Sequence, residues 1–471
     1  MLDIPEFRKY AHEIVDWIAD YFENIEKYPV KSPVKPNDIY KQLPEHPPAV
    51  SEDMQQILLD FQKIIVPGMT HWQSPNFFAY FPANSSYPSV LAEMLTAALG
   101  AQCMIWETSP AAAELEERVM NWLKQMLNLP SDWHGVIQDT ASSSTLCALL
   151  TAREKYSKYA VNRSGFNGSE KFRIYGSRET HSSIDKGVKI AGFGIDNLVK
   201  IAVDENLAMD PAALKKAVDK DIRNGYKPLC VVATLGTTGT TAVDPLQPIG
   251  EICQQYNIWL HIDAAFGGSA LVLPEFEWMA EGLHMADSFV FNPHKWMFTN
   301  FDCSAYFVSD KESLIDTFSI LPEYLKTKTT GKVNDYRDWG IALGRRFRAL
   351  KLWFVIRDFG VEGIRERVLN HIRMAKELEK KISEHDAFEI MTKRNFNVLC
   401  FRFHPPKIND DKKLNEMNEN LLHSLNKTGK LYLTHTKINN IYTLRLVTGQ
   451  TYVTEDHINK AWQLICSLAK D

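Results

Sequence analysis

Long apolar runs are missing from this 471-residue chain: none reaches the roughly 18 residues that a membrane-spanning helix needs. The opening stretch, Met-Leu-Asp-Ile-Pro-Glu-Phe, has no basic region followed by an apolar core. A cytoplasmic protein is therefore expected, without a membrane partner. Excess positive charge is missing too, since 53 Lys and Arg face 58 Asp and Glu for a net charge of -5, which leaves no electrostatic footprint for nucleic acid. Cysteine is sparse: seven residues, odd in number, scattered and mostly in apolar runs, with no Cys-x-x-Cys pair. That suits reduced core thiols better than a disulfide framework. The Asn-x-Ser/Thr matches at Asn84, Asn162, Asn167 and Asn426 are accordingly read as chance. No second histidine follows His12-Glu13 to complete His-Glu-x-x-His, so no metal site is expected. The Ser-x-x-Lys match at Ser183-Ile184-Asp185-Lys186 lacks the companion motifs of a serine hydrolase. Internal repeats and low-complexity tracts are absent as well.

What is present is a composition of 45% hydrophobic and 24% charged residues, ordinary for a globular enzyme acting on small ligands. The apolar residues Phe7, Ala11, Ile14, Val15, Ile18, Phe22 and Ile25 recur at helical spacing and predict a helix with one apolar stripe. Either its own core or a partner subunit must cover that stripe. Prolines 29, 33, 36, 44, 47 and 48 make Tyr28 to Val50 an extended connector. Between about residues 100 and 310, short β-rich runs alternate with helical ones: 135–138, 172–175, 229–234, 258–262 and 288–291. Strands separated by helices read as βαβ units on a buried, mostly parallel sheet, whose ligands sit at the carboxyl ends of the strands. The polar stretch Tyr324 to Gly340 reads as a mobile loop, and helical periodicity resumes from about Ile341.

Each predicted strand ends in residues of a definite chemical kind. Run 135–138 leads into Asp139-Thr140-Ala141-Ser142-Ser143-Ser144 and a helix, whose free N–H groups, hydroxyls and dipole suit a phosphate as well as an ordinary serine-rich cap. Run 229–234 leads into Leu235-Gly236-Thr237-Thr238-Gly239, which is no Walker loop because no Gly-Lys-Ser/Thr follows. Run 258–262 ends in Asp263-Ala264-Ala265: an acid that suits either a helix N-cap or, buried, the keeping of a heterocyclic nitrogen protonated, then two small residues that leave room for a flat ring. His181 follows another strand and could lie against that ring. Run 288–291 leads into Asn292-Pro293-His294-Lys295-Trp296, where desolvation favours the neutral, nucleophilic amine of Lys295. An imine-forming lysine, a phosphate cup, a buried acid and a stacking histidine together describe a site for pyridoxal 5'-phosphate.

Longer strings carry a resemblance. Phe77-Phe78-Ala79-Tyr80-Phe81-Pro82, Ala233-Thr234-Leu235-Gly236-Thr237-Thr238, His261-Ile262-Asp263-Ala264-Ala265, Asn292-Pro293-His294-Lys295-Trp296, Asn300-Phe301-Asp302-Cys303-Ser304 and Arg345-Arg346-Phe347-Arg348 closely resemble the group II pyridoxal-phosphate decarboxylases. Within that group the chain is most similar to the aromatic-L-amino-acid decarboxylases. The resemblance implies the aspartate-aminotransferase fold (fold type I) as a homodimer, an α/β fold with a mostly parallel central sheet. It divides the chain into an N-terminal helical dimerisation segment (1–79), a large cofactor-binding domain (80–352) and a small C-terminal α+β domain (353–471). It also implies that Lys295 binds the cofactor as a Schiff base, that Asp263 pairs with the pyridine nitrogen and that His181 stacks on the ring. Ala141, Ser142, Thr238, Asn292 and His294 would help to bind the phosphate, and Ala265 would lie beside the ring.

The same resemblance implies decarboxylation of an aromatic amino acid to its amine, with Tyr324 returning the proton to Cα. Related aldehyde synthases carry phenylalanine at that position, so Tyr324 favours the amine. An aldehyde synthase and a non-catalytic dimer of the same fold are the alternatives. Trp72, Tyr80, Phe81 and Pro82 match the family's aromatic pocket. Gly344 stands where histidine decarboxylases and plant tyrosine-preferring members tend to carry serine, and leaves space for a catechol or an indole. Ala83, Gln102 and Met104 stand where animal DOPA decarboxylases carry threonine, isoleucine and phenylalanine. Gln102 adds a polar group to an apolar wall, so the preferred ring stays open among DOPA, 5-hydroxytryptophan, tryptophan, tyrosine and phenylalanine.

Overall fold

Apolar runs flanked by glycine and polar turns form two sheets in the computed structural model, which describes residues 2–166, 168, 171–320 and 332–470. The chain divides into two compact units: one made of Met1–Pro82, Met374–Met391 and Leu399–Asp471, the other of Ala83–Arg373 and Thr392–Val398.

The larger unit is built on seven strands: β1 (His134–Gln138), β2 (Phe172–Ser177), β3 (Leu198–Ile201), β4 (Lys227–Thr234), β5 (Trp259–Asp263), β6 (Ser288–Phe291) and β7 (Ser304–Val308). Their order is β1-β7-β6-β5-β4-β2-β3. The pairings β2–β3, β2–β4, β4–β5 and β5–β6 are parallel, whereas β7 runs antiparallel to both β6 and β1. Central strands β5 and β6 are buried at every position, as a sheet covered on both faces requires. Because β7 opposes both neighbours, β1 runs in the same direction as β6, and the carboxyl ends of β1, β2, β4, β5 and β6 all reach one edge. The mostly parallel α/β expectation is met. Strands β3 and β7 are additions that their short sequences do not announce.

Between strands, helices start where polar caps and prolines allow. Asp210 caps Pro211–Arg223 through Ala212 N, with proline at the first helical position, where its missing N–H costs nothing. Asp310 caps Lys311–Phe318 through Ser313 N. The helical run Arg348–Ser383 is broken at Gly360, whose φ of 64° and ψ of 169° are outside the helical region.

Two expectations need correction. Residues 321–331 of the polar stretch lie outside the described residues, but Tyr336–Trp339 form a 3-10 turn in which Tyr336, Arg337 and Trp339 are buried. Tyr336 and Trp339 pack with Val136, Tyr306 and Leu314, a hydrophobic demand masked by the polar residues around them. The helix expected from Ile341 begins only at Arg348. Ahead of it, Cys103 N donates to Arg345 O, and Arg345 N donates to Gln102 Oε1, which hold this backbone by non-helical bonds.

The smaller unit carries β8 (Phe388–Ile390), β9 (Val398–Phe403), β10 (Thr434–Ile438) and β11 (Ile441–Val447) in the order β10-β11-β9-β8. Its early residues are tied to late ones: Val30 N donates to Gly429 O, Tyr432 N to Asn76 O, Phe78 N to Tyr432 O and Val447 N to Phe78 O. The first helix, Ile4–Glu23, opens with Asp3 and Glu6 capping each other's backbone N–H groups and Pro5 in its first turn. Of its predicted stripe, Phe7, Ile14 and Val15 remain exposed, and Ile25, just past its end, is buried. The proline-rich connector, Tyr28 to Val50, contains one short 3-10 turn, at Tyr40–Gln42; another, Ile25–Lys27, precedes it. All seven cysteines are free thiols, six of them buried. Among the described residues no helix is long and apolar enough to cross a membrane.

Candidate active site

At the shared carboxyl edge of the larger unit's sheet, β5 delivers a carboxylate where apolar surroundings demand a partner. Asp263 is 5% exposed, and its Oδ1 accepts a hydrogen bond from Ala265 N at 3.0 Å. Its carbonyl accepts from Leu235 N at 3.0 Å, which ties the end of β5 to the loop after β4. One strand further, Asn292 N donates to Ala265 O at 3.0 Å, and Lys295 N to Asn292 O at 2.9 Å. Lys295 thus sits in a single helical turn, Pro293–Trp296, one strand away from Asp263. Trp296 is fully buried, stacked on Phe266 at 4.8 Å and donating its Nε1–H to His371 Nδ1 at 2.9 Å, which anchors the turn.

His294 is fixed in its tautomer. Cys303 N donates to its Nδ1 at 2.9 Å, so the ring proton resides on Nε2, a donor. Burial, reinforced by the Lys295 charge, pushes its pKa down to about 3, against the pull of Asp302, so the ring is neutral at working pH. The Asn292 side chain is buried as well, with its Oδ1 lacking a hydrogen-bond partner.

From β1 the chain passes into the helix Ala141–Ser157, capped by an extended Thr140 whose side chain makes no capping bond. The N–H groups of its first turn have no intrahelical acceptor and, with the hydroxyls of Ser142 and Ser143, form a donor set suited to an anion. After β4, Thr237 Oγ1 accepts from Ala242 N at 3.0 Å and closes the loop that carries Thr238. Beneath that loop Asp244 is fully buried, accepting from Met209 N and Thr234 N at 2.7 Å each, and burial pushes its pKa up to about 7. His181 caps the helix Ser182–Ile190 after β2, its Nδ1 accepting from Ser183 N at 3.2 Å. The residue is exposed overall, yet enough protein surrounds its ring to lower its pKa, with Asp263 pulling upward and Lys295 downward. Asp263 and Lys295 therefore both act on the His181 ring.

The predicted residues at this edge are Lys295, Asp263, His181, Ala141, Ser142, Thr238, Ala265, Asn292 and His294, all within the larger unit. Ala83, Gln102, Met104 and Gly344 belong to that unit as well. Gln102 Oε1 accepts from Arg345 N at 2.7 Å, and a Cβ on Gly344 would meet Gln102 Nε2 at 3.3 Å. Met104 O accepts from Arg337 N at 2.9 Å. Trp72, Tyr80, Phe81 and Pro82 belong to the smaller unit. There Trp72 stacks on Phe77 at 4.4 Å and on Tyr80 at 5.8 Å, and the buried Arg445 donates to Tyr80 O and lies 4.7 Å from the Phe81 ring. Tyr324 lies outside the described residues.

One contributor escaped the sequence reading. Asn84 is 1% exposed; its Nδ2 donates to Lys295 O at 2.6 Å and its N to His294 O at 3.1 Å. Its only local signal is a glycosylation triplet, and so buried an asparagine is no surface acceptor.

The residues present fit pyridoxal 5'-phosphate. An amine and a carboxylate stand one strand apart, the small Ala264 and Ala265 follow the acid, and a donor-rich helix N-terminus lies on the same edge. Comparison with known proteins agrees. Residues 36–404 match the family profile described as "Pyridoxal-dependent decarboxylase conserved domain". A tyrosine decarboxylase of Papaver somniferum is 42% identical over 98% of this chain and 94% of its own length. A phenylacetaldehyde synthase of Arabidopsis thaliana is 44% identical over 98% and 96%. Among solved structures, Catharanthus roseus tryptophan decarboxylase in complex with L-tryptophan aligns with a TM-score of 0.93 at 41% identity, covering 99% of this chain and 98% of that one.

Proposed function

This chain belongs to the pyridoxal-dependent decarboxylase family, and we propose that it converts aromatic L-amino acids to arylalkylamines and carbon dioxide with pyridoxal 5'-phosphate. The observation that carries the reading is the placement of Asp263 and Lys295 at the ends of neighbouring strands, on the same sheet edge as the open N-terminus of the Ala141–Ser157 helix. When bound, the cofactor supplies an electron sink for the carbanion left as carbon dioxide departs.

The chain's own residues do the rest. Lys295 would hold the cofactor through its amine and give it up to the substrate amine. Asp263 keeps a proton on the pyridine nitrogen, and its burial keeps that interaction strong. His181 would stack on the ring. The N–H groups and hydroxyls at Ala141 and Ser142, with Thr238, Asn292 and the Nε2–H of His294, hold the phosphate. Tyr324 carries a proton to Cα. By resemblance to the family, Trp72, Tyr80, Phe81, Pro82, Ala83, Gln102, Met104 and Gly344 are the residues assigned to recognition of the aromatic side chain.

The chain acts as a cytoplasmic homodimer with residues 1–79 as its dimerisation segment. Supporting this are the exposed apolar residues Ile4, Phe7, Ile14 and Val15, and a second apolar row of Tyr87, Leu91, Leu95 and Leu99 on the Tyr87–Leu99 helix. Free thiols throughout suit a reducing compartment.

The similarity to a phenylacetaldehyde synthase favours one second reading. In it, dioxygen oxidises the decarboxylated substrate, and water completes release of aldehyde, ammonia and hydrogen peroxide. A competition assay with DOPA, 5-hydroxytryptophan, tryptophan, tyrosine and phenylalanine separates the two. Amine matching the carbon dioxide released, without peroxide, is the expected result; equimolar aldehyde and peroxide would establish the synthase. Tyr324→Phe is expected to shift product from amine toward aldehyde, and an unchanged amine yield would remove Tyr324 as the proton donor.

A further inference from the structure

Beneath the strand ends, one buried histidine links the elements that supply opposite sides of the site. His261 lies two residues before Asp263 on β5, so both side chains leave the same face of the sheet. It is fully buried. Its Nε2 is 3.1 Å from Thr145 Oγ1 and its Nδ1 is 2.9 Å from Ser288 Oγ. Thr145 lies about one turn inside the Ala141–Ser157 helix. Ser288 is the first residue of β6, the strand that leads to Asn292 and Lys295. Trp259 Nε1 donates to the same Ser288 hydroxyl at 2.9 Å, so the Ser288 end of this chain is anchored.

The chemistry of the ring suits this post. Burial pushes the His261 pKa down to about 4, against the pull of Asp263, so the ring is neutral. A neutral imidazole has one donor and one acceptor, and each faces a hydroxyl able to take the complementary part. Filling space would require no such polarity: the neighbouring strand residues Leu260 and Ile262 are apolar and equally buried. A polar chain in this core is favourable only when every member is satisfied, which makes its geometry exacting.

We propose that His261 is a positioning residue that, through Thr145, holds the first turn of the Ala141–Ser157 helix at a fixed height against β5 and β6 and so sets the grip on the cofactor's phosphate. This rests on the reading of that turn as the phosphate cup. The histidine touches neither substrate nor cofactor; it acts on the helix. A helix free to slide along its axis would carry its N-terminal N–H groups out of reach while leaving Lys295 in place.

The test separates the phosphate from the ring. Full-length chain is equilibrated with pyridoxal 5'-phosphate, or with pyridoxal, which keeps ring and aldehyde but lacks the phosphate, and affinity is read from visible absorbance. Thr145→Val removes the hydroxyl at nearly constant volume, His261→Leu removes both ring bonds, and His261→Gln restores one donor and one acceptor. Thr145→Val and His261→Leu are each expected to weaken binding of the phosphorylated cofactor about tenfold, as loss of one buried hydrogen bond does. Pyridoxal affinity stays unchanged, and His261→Gln recovers part of the loss. Equal weakening toward both cofactors would overturn the proposal in favour of a merely structural histidine, and so would no weakening toward either. Thr145→Val carries the test where His261→Leu does not fold. A wild-type chain that binds neither cofactor would sink the cofactor reading itself, an outcome distinct from a wild type that binds both and variants that do not discriminate.

Discussion

Gly344 and Gln102 meet at a point where one Cβ decides the space available. The Gln102 amide oxygen is committed to Arg345 N, so its Nε2, 3.3 Å from where a Cβ would stand, cannot swing aside without giving up that bond. Gly344→Ser is therefore expected to crowd the proposed wall and lower kcat/KM for tryptophan about tenfold relative to tyrosine, the cost of roughly one misplaced methylene. Paired substrates measured by mass spectrometry give that ratio, and an unmoved value would take Gly344 out of the wall. Lys295→Ala is expected to abolish both amine formation and visible absorbance while leaving the circular dichroism intact. Turnover at the wild-type rate would refute its covalent role.

At the scale of elements, a buried ion pair joins three segments. Arg345 donates to both Glu116 oxygens, at 3.1 and 2.6 Å, and to Ile137 O at 2.7 Å, while Ile137 N donates to Glu116 Oε1 at 2.9 Å. The helix Pro110–Met126, strand β1 and the segment before the Arg348 helix are locked at one point. Glu116→Ala leaves the guanidinium buried and uncompensated and is expected to cost about 3–5 kcal/mol, read as a lower urea midpoint at unchanged slope. A change in slope instead would mean that the helix frays on its own. Such locks explain what the sequence could and could not disclose. Strands β4, β5 and β6 stand out as short apolar runs because both faces are covered, and their ends stand out because acid, amide and lysine are costly there without a purpose. Asn84 had no such signal, since its partner Lys295 is 211 positions away. Residues 336–339 were hidden for the opposite reason: polar neighbours in sequence outnumber the two aromatic residues that fold inward.

For the whole molecule, pH acts through groups whose burial opposes charging. His261 is held near a pKa of about 4, whereas the unfolded chain's histidines titrate near about 6.5. Below that value the unfolded chain takes up a proton that the folded chain refuses, so this contribution to stability is lost as pH falls toward about 4. Asp244 works the other way: with its pKa raised to about 7, its burden grows as pH rises from the ordinary carboxylate range. The clean observable is a difference. His261→Gln is expected to gain on wild type by up to about 1.4 kcal/mol per pH unit as pH falls from about 6 to about 4.5, measured as urea midpoints. A gap that does not change with pH would mean that the ring is not held neutral. The smaller unit has another consequence, for the chain's making. Its Asn76 to Ala79 strip bonds to Tyr432 and Val447, so on a ribosome adding about 5–20 residues per second the strip waits roughly 20 to 70 seconds for its partners. Through that interval Phe77 and Phe78, both fully buried in the finished fold, are uncovered on the nascent chain.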